Sequence, residues 1–180
     1  KDKKVAYEMT DNDVEDLIQN YVSDIETIKM LGFDGVELHG AHGYMIDQFF
    51  WRDTNIRKDK YGKEEDLRTK FVCEIVSRAR KLVGNDFPIM LRFSQWKQQD
   101  YEALLAPSPE DLETFLGPIS DSGVDVFHAS TRRYWEPEFE GSNLNLAGWT
   151  KKITNKPTIT VGSVGLDSDF ILSLIHISEP

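Results

Sequence analysis

Short apolar segments alternate with longer segments of helical periodicity along this sequence, and this alternation restricts the fold more than any other feature. The four strand-like segments are residues 33–39, 88–93, 124–128 and 158–161. Helices are predicted at residues 14–28, where apolar residues recur at helical spacing, at 64–82 and at 108–120. Helices between consecutive strands are the crossovers that parallel strands require. The sequence therefore predicts an α/β protein with a parallel sheet, either doubly wound or a (β/α)₈ barrel.

Polar residues capable of chemistry stand at the ends of these predicted strands. His39, Arg92 and His128 each end a different strand, and the pair Gly162-Ser163 directly follows the fourth. In both candidate architectures the ligand site lies at the carboxyl ends of the parallel strands. The sequence therefore predicts a site at that edge of the sheet.

The richest of these segments runs from His39 to Tyr44 and reads His-Gly-Ala-His-Gly-Tyr. Gly40 and Gly43 permit a tight turn that brings the two imidazoles together. Imidazole N–H groups stabilise a carbonyl oxygen that gains negative charge, and the phenol of Tyr44 offers a proton nearby. A zinc site and a purely structural histidine pair are the alternatives. Zinc wants three or four ligands, which one cysteine and four histidines supply poorly, so we predict ligand binding and no metal.

Three further positions are candidate binding residues, each with a structural alternative. Arg92 lies in an otherwise apolar strand, so it needs either an acidic partner or a polar pocket. The Gly162-Ser163 turn after the last strand can present backbone amides to a phosphate. Tyr134 and Trp135 lie in an aromatic and basic loop that either lines a substrate pocket or packs on a neighbour.

The composition excludes several classes of partner. The formal net charge of −10, from 31 acidic and 21 basic residues, disfavours binding to nucleic acid or to anionic membranes. No apolar run reaches the about 20 residues that a membrane span needs, and no leader segment opens the sequence. Cys73 is the single cysteine, so no intrachain disulfide is expected and its thiol is interpreted as buried and inert. Together these features predict a cytoplasmic protein.

A resemblance to a known family rests on four blocks of residues. Residues 32–49 closely resemble the signature of the Old Yellow Enzyme (NADH:flavin oxidoreductase) family. Residues 54–62, 87–94 and 161–165 are similar to later blocks of the family, in the same order and spacing. The block at 54–62 departs from the family after Tyr-Gly. The resemblance covers about residues 5 to 170, and the first block is its most specific part.

The resemblance implies a (β/α)₈ barrel that carries FMN at its carboxyl face. The four predicted strands correspond to roughly strands four to seven of that barrel, so the chain is expected to form an incomplete barrel. Arg92 would contact the pyrimidine edge of the flavin, where negative charge develops on reduction. Gly162 and Ser163 would belong to the phosphate site of FMN.

The resemblance also implies a reaction. NADH or NADPH would reduce FMN, and the flavin would pass hydride to an activated alkene such as an enone. His39 and His42 would hydrogen-bond the activating oxygen of the substrate, and Tyr44 would donate the proton. Tyr134 and Trp135 would lie near the substrate. A dienoyl-CoA reductase on the same barrel is a related reading.

We expect residues 1–170 to form the partial barrel and residues 171–180, which do not match the family, to be a tail of different origin. An open barrel leaves strand edges unpaired, so self-association into homo-oligomers is expected. Two alternatives stay open. The chain is a truncated barrel without cofactor or turnover, or it is a metal-dependent barrel hydrolase that uses His39, His42 and His128.

Overall fold

Helices and strands alternate throughout the described part of the chain. The computed structural model describes residues 7–62, 64 and 67–165, so the tail predicted at 171–180 lies outside the described residues. The elements in chain order are α1 (Asp11–Met30), β1 (Val36–His42), α2 (Met45–Phe50), α3 (Lys70–Val83), β2 (Ile89–Lys97), α4 (Pro109–Asp121), β3 (Val126–Ser130), α5 (Leu146–Thr154) and β4 (Thr158–Val161).

The strands form one parallel sheet whose spatial order follows the chain. The order is β1-β2-β3-β4, and each neighbouring pair is parallel. A doubly wound sheet reverses its strand order at a switch point, whereas a (β/α)₈ barrel adds each strand beside the previous one. The observed order is that of a barrel segment, which resolves the alternative that the pattern of elements left open.

The strands extend further than the sequence predicts. The predicted strands 33–39, 88–93 and 124–128 are observed at Val36–His42, Ile89–Lys97 and Val126–Ser130. His39, Arg92 and His128 therefore lie within their strands and not at the ends. They are paired with one another in register, His39 with Arg92 and Arg92 with His128. The prediction ended these strands at or one residue after a polar residue, whereas the parallel pairing continues past polar side chains that face the site.

The helix signals in the sequence give the boundaries of α4 to within one residue and those of α1 to within three. Thr10 caps α1, because its hydroxyl accepts from the amide of Asp13 while Asp13 Oδ2 accepts from the amide of Thr10 at 2.7 Å. Ser108 caps α4, and Pro109 occupies its first turn, where a missing backbone N–H costs nothing. Helix α3 begins at Lys70, six residues later than predicted. No helix in the described ranges is long and apolar enough to cross a membrane.

The two faces of the sheet have different surroundings. The face turned to the helices carries the core, including Leu38, Leu91 and Phe127, which are buried. The opposite face carries the row His39, Arg92 and His128, and His39 is exposed. In a closed barrel this second face lines the interior, so the polar row belongs to the region where barrels hold their ligands.

Candidate active site

The turn after β1 brings the three predicted catalytic side chains together. A bulge between Gly40 and His42 interrupts the pairing with β2, and His42 and Gly43 then adopt left-handed conformations, with φ of 62° and 80°. The chain reverses into α2, so Tyr44 lies over the strand it has just left. The ring of His39 lies 5.4 Å from that of His42 and 5.4 Å from that of Tyr44. The predicted convergence of the two imidazoles and the phenol is present in the structure.

Ser130 links this turn to the neighbouring strands. Nε2 of His42 lies 2.8 Å from Oγ of Ser130, and a guanidinium nitrogen of Arg92 donates to the same oxygen at 3.2 Å. The amide of His42 donates to Oγ of Ser94 at 3.0 Å. The ends of β1, β2 and β3 thus share one hydrogen-bonded network. The sequence analysis singles out neither serine, and their only signal is that each follows a predicted strand-end residue by two positions.

Both histidines are neutral at pH 7. Burial lowers the pKa of His42 to about 4, and the positive charge of Arg92 lowers it further. Partial loss of solvent around its ring, and then the positive charge of Arg92, also lower the pKa of His39 from its ordinary value. A neutral imidazole carries one N–H donor and one acceptor nitrogen. The pair therefore offers hydrogen bonds to a ligand without adding charge to the site.

Only some of the hydrogen-bond donors of Arg92 are used. Among the described residues no carboxylate lies within ion-pair distance of Arg92, and its buried Nε–H has no hydrogen-bond partner there. The acidic structural partner considered from the sequence is therefore absent from this part of the chain. A buried donor without an acceptor costs about 1–3 kcal/mol. This unfilled donor indicates a ligand atom that accepts a hydrogen bond.

An aromatic column leads outward from His42. The ring of Trp96 stacks on His42 with centroids 4.5 Å apart, and Tyr101 stacks on Trp96 at 5.5 Å. The guanidinium of Arg132 lies 4.7 Å from the centroid of Tyr101. A cleft of about 230 Å³ runs beside this column and is lined by Trp96, Tyr101 and Arg132. The sequence analysis does not identify Trp96 or Tyr101, although Trp96 follows Arg92 closely enough to lie at the same end of the strand.

The loop after β3 holds the predicted substrate residues Tyr134 and Trp135. The amide of Tyr134 donates to the carbonyl of Gly162 at 2.9 Å, and the side chain of Tyr134 is buried. Trp135 is exposed, and its ring packs edge-on against Tyr134 at 5.6 Å. Neither residue lines the cleft beside Trp96. Their role in binding substrate stays a prediction.

The turn after β4 approaches the β3 loop too closely for any residue but glycine. A Cβ atom on Gly162, whose φ is 140°, would lie 2.7 Å from Oγ1 of Thr131 and closer still to its carbonyl oxygen. Ser163, with φ of 59°, donates through its hydroxyl to the carbonyl of Arg132 at 3.1 Å. Within the described residues, the backbone amides of Gly162 and Ser163 donate to no acceptor. Two free amides in a confined turn form the kind of cradle that accepts a phosphate.

The residues considered for a metal site do not form one. Nδ1 of His128 lies 2.7 Å from Oε2 of Glu37, so this histidine is paired within the sheet face. In the part of the chain that the structure describes, no three side chains of histidine, cysteine, aspartate or glutamate are grouped for a metal ion.

Comparison with known proteins places the chain among flavin oxidoreductases. The model of the NADH:flavin oxidoreductase / NADH oxidase family matches residues 1–175. The chain is 39% identical over 165 residues to an NADH oxidase of Thermoanaerobacter brockii, which covers 87% of this chain and 25% of that protein. It is 32% identical over 189 residues to a cinnamate reductase of Clostridium sporogenes, which covers 92% of this chain and 28% of that protein.

A solved structure gives the same fold. The old yellow enzyme homologue from Zymomonas mobilis superposes with a TM-score of 0.73 at 20% identity, over 98% of this chain and 49% of that chain. The four parallel strands are therefore a section of a (β/α)₈ barrel, and the chain spans only part of the length of its relatives. Because the family model matches nearly the whole sequence and the first block of residues carries its signature, the chain belongs to the NADH:flavin oxidoreductase / NADH oxidase family.

Proposed function

We propose that the protein containing this chain is an FMN-dependent oxidoreductase that uses NADH or NADPH to reduce an activated alkene. The observation that carries the proposal is the pair of neutral imidazoles beside Tyr44, one strand away from the unpartnered Nε–H of Arg92. Family membership supports FMN as cofactor and NADH or NADPH as reductant. The relative named cinnamate reductase supports an alkene conjugated to a carbonyl group.

The residues of the chain fit FMN at two places. The buried Nε–H of Arg92 requires an acceptor, which a pyrimidine ring of the flavin provides along its edge. The free amides of Gly162 and Ser163 follow β4, two strands away from Arg92 in β2, and suit the phosphate group. When bound, FMN supplies the hydride chemistry that amino-acid side chains lack. The protein contributes orientation and polarisation.

His39 and His42 are suited to bind the carbonyl oxygen of the substrate. Their rings lie 5.4 Å apart at an angle of 63°, so an N–H from each reaches one oxygen placed between them. Two fixed donors stabilise the negative charge that this oxygen gains when hydride adds to the β-carbon. Because both rings are neutral, they polarise the carbonyl without protonating it.

Tyr44 is suited to complete the reduction. Its hydroxyl donates to Oε1 of Gln98 at 3.0 Å, which holds the phenol at the exposed side of the histidine pair. To protonate the α-carbon, the hydroxyl exchanges Gln98 for the substrate. Hydride at the β-carbon and this proton at the α-carbon together convert the alkene into the saturated product.

The test separates the two half-reactions in the FMN-loaded full-length protein. Flavin absorbance is followed first during anaerobic reduction by NADH or NADPH, and then during reoxidation by 2-cyclohexenone. We expect Tyr44→Phe to slow reoxidation by about 100-fold or more, the usual contribution of general acid catalysis, while flavin reduction keeps its rate. We expect His39→Ala and His42→Ala to weaken the binding of 4-hydroxybenzaldehyde, measured from the flavin spectrum.

Tyr101→Phe is the matched control for the tyrosine variant. Tyr101 stacks on Trp96 and keeps this stacking in the variant, while its hydroxyl has no hydrogen bond among the described residues. Equal slowing by both tyrosine variants would contradict the proton-donor role, and unchanged ligand affinity in both histidine variants would contradict theirs. FMN titration of the 180-residue chain alone tests the alternative that this chain is a barrel fragment without cofactor.

A further inference from the structure

We propose that the buried ion pair of Asp47 and Lys97 is a positioning device that holds the turn of His42, Gly43 and Tyr44 (the histidine turn) in its reactive geometry. This inference rests on the proposed function, because that function assigns the substrate contacts to the turn. Among the described residues, no hydrogen bond joins Asp47 or Lys97 to the rings of His39, His42 or Tyr44, so the pair acts through the backbone.

The two charges are entirely enclosed and saturated with hydrogen bonds. Both side chains have no solvent exposure. Nζ of Lys97 donates to Oδ1 and Oδ2 of Asp47 at 2.6 and 2.8 Å and to the carbonyl of Ser94 at 3.2 Å, which uses all three N–H groups of the ammonium. Oδ2 of Asp47 also accepts from the amide of Gly43 at 2.7 Å. This last bond connects the ion pair to the histidine turn.

Stability alone does not account for such a pair. Burial is the largest influence on both groups, raising the pKa of Asp47 and lowering the pKa of Lys97, which reflects the cost of removing the charges from water. That cost is several kcal/mol per ion, and apolar pairs of similar volume are often equally or more stable. What an apolar pair lacks is a directed acceptor. The pair therefore has a geometric role, and the amide of Gly43 is the group that it directs.

The histidine turn needs this external support. His42 has a φ of 62°, a conformation that side-chain-bearing residues adopt only at a cost in free energy. Tyr44 stands at the N-cap of α2, where its side chain makes no capping bond. Asp47, at the third position of the helix, instead accepts from the amide of Gly43, just before the helix. Because Gly43 lies between His42 and Tyr44, fixing its amide sets the direction of both neighbours.

Lys97, the second member of the ion pair, connects the histidine turn to β2. The carbonyl of Ser94 accepts from Lys97, and the hydroxyl of Ser94 accepts from the amide of His42 at 3.0 Å. The amide of Gln98, next to Lys97, donates to the carbonyl of His42 at 3.2 Å. Both the amide and the carbonyl of His42 are therefore hydrogen-bonded to the end of β2, the strand that also carries Arg92. The catalytic histidine and the flavin-binding arginine are kept in a fixed relation.

Two neutral double variants of the FMN-loaded full-length protein separate geometry from charge. Asp47→Asn with Lys97→Met keeps an acceptor for Gly43, whereas Asp47→Ala with Lys97→Met removes it. We measure thermal stability, FMN content and the affinity for 4-hydroxybenzaldehyde. We expect the Asn/Met variant to bind within about threefold of the parent. We expect the Ala/Met variant to keep its FMN but to bind at least about tenfold more weakly, since misplacement by about 1 Å costs up to about 100-fold.

The control neutralises an ion pair of a different part of the fold. Glu15 and Arg78 join α1 to α3 with a 3.0 Å contact, and Glu15→Gln with Arg78→Met should leave the affinity for the aldehyde unchanged. Parent-like affinity in a folded Ala/Met variant would overturn the proposal. So would equal weakening in the Asn/Met and Ala/Met variants, because the acceptor would then be irrelevant.

A measurement on the unaltered protein covers the case in which the Ala/Met variant does not fold. Hydrogen exchange of the Gly43 amide should be slow in the parent, since a buried carboxylate accepts from it, and fast exchange would overturn the proposal. The two proposals fail separately. A parent that binds FMN but no phenol or enone refutes the proposed function, whereas altered exchange and affinity in the variants concern only the ion pair.

Discussion

Replacing Gly162 with alanine tests whether the contact between the β3 and β4 loops excludes every side chain. The new Cβ would meet Oγ1 of Thr131 at 2.7 Å and its carbonyl carbon at 2.9 Å, and real Cβ atoms do not approach other atoms this closely. Backbone hydrogen bonds from Thr131 to Val161 and from Tyr134 to Gly162, at 3.0 and 2.9 Å, prevent the loops from separating easily. One methyl group therefore has to displace backbone atoms.

The expected destabilisation has two parts. A side chain at a φ of 140° costs about 1–3 kcal/mol in backbone strain. Forcing a methyl group into a filled site adds about 1–3 kcal/mol. Gly141 gives a comparison without the steric part, because its φ of 78° is also positive and a Cβ there would meet nothing within 4 Å. We therefore expect Gly162→Ala to lower the free energy of unfolding by about 2 kcal/mol more than Gly141→Ala does, which is the size of a steric clash in a filled site.

Urea unfolding followed by circular dichroism gives the two free energies, and FMN titration of the full-length protein gives a second readout. Displacement of the loop moves the free amides of Gly162 and Ser163, so Gly162→Ala should weaken FMN binding by at least about tenfold, the factor that about 1.4 kcal/mol represents. Gly141→Ala should leave FMN binding unchanged. Equal destabilisation by both variants would refute the steric reasoning. Normal FMN affinity in Gly162→Ala would refute the cradle.

Three further predictions concern the electrostatics of the chain. The pKa of His42 is lowered to about 4, so between about pH 6.5 and 4 only the unfolded state binds a proton at this residue, and the protein should unfold more easily as the pH falls. His42→Asn should reduce this pH dependence. An unchanged dependence of the unfolding free energy on pH, measured with urea, would contradict the assignment. Partial burial raises the pKa of Cys73 to about 11, so iodoacetamide should label the folded protein slowly and the unfolded protein rapidly at pH 8. Fast labelling of the folded protein would be inconsistent with the raised pKa. Arg80→Met should lower the free energy of unfolding in urea by about 2 kcal/mol, because the guanidinium joins α3 to Asp125 and to backbone carbonyls. Arg133→Met, which breaks an exposed ion pair, should lower it by at most about 1 kcal/mol. Similar losses in the two variants would refute the distinction.

Local signals predicted much of the fold and the core of the site. The positions of apolar residues predicted α4 to within one residue at each end, and α1 to within three residues at its start and two at its end. Strand ends were harder, because polarity ends an apolar run before it ends a parallel ladder, as at His39. Helix α2 has six residues, too few for the 3.6-residue period to appear.

The unpredicted parts of the site depend on contacts between distant residues. The separation between Asp47 and Lys97 is 50 positions, and that between His42 and Ser130 is 88. No spacing rule connects such residues, and each alone is typical of a solvated surface. The residues that were predicted, His39, His42 and Tyr44, lie within one six-residue segment. The glycines of this segment indicate a tight turn, which is why the convergence of the three side chains could be predicted.

Ser130 also decides where the single ring hydrogen of the neutral His42 resides. A guanidinium nitrogen of Arg92 donates to Oγ of Ser130. Because Ser130 is only 2% exposed, the hydroxyl hydrogen of Ser130 does not reach bulk water. Within the described residues, the acceptor that this hydrogen meets is Nε2 of His42 at 2.8 Å. Nε2 is then unprotonated, and the imidazole exists as the Nδ1–H tautomer. A serine on a separate strand thereby selects the ring nitrogen of His42 that carries the hydrogen.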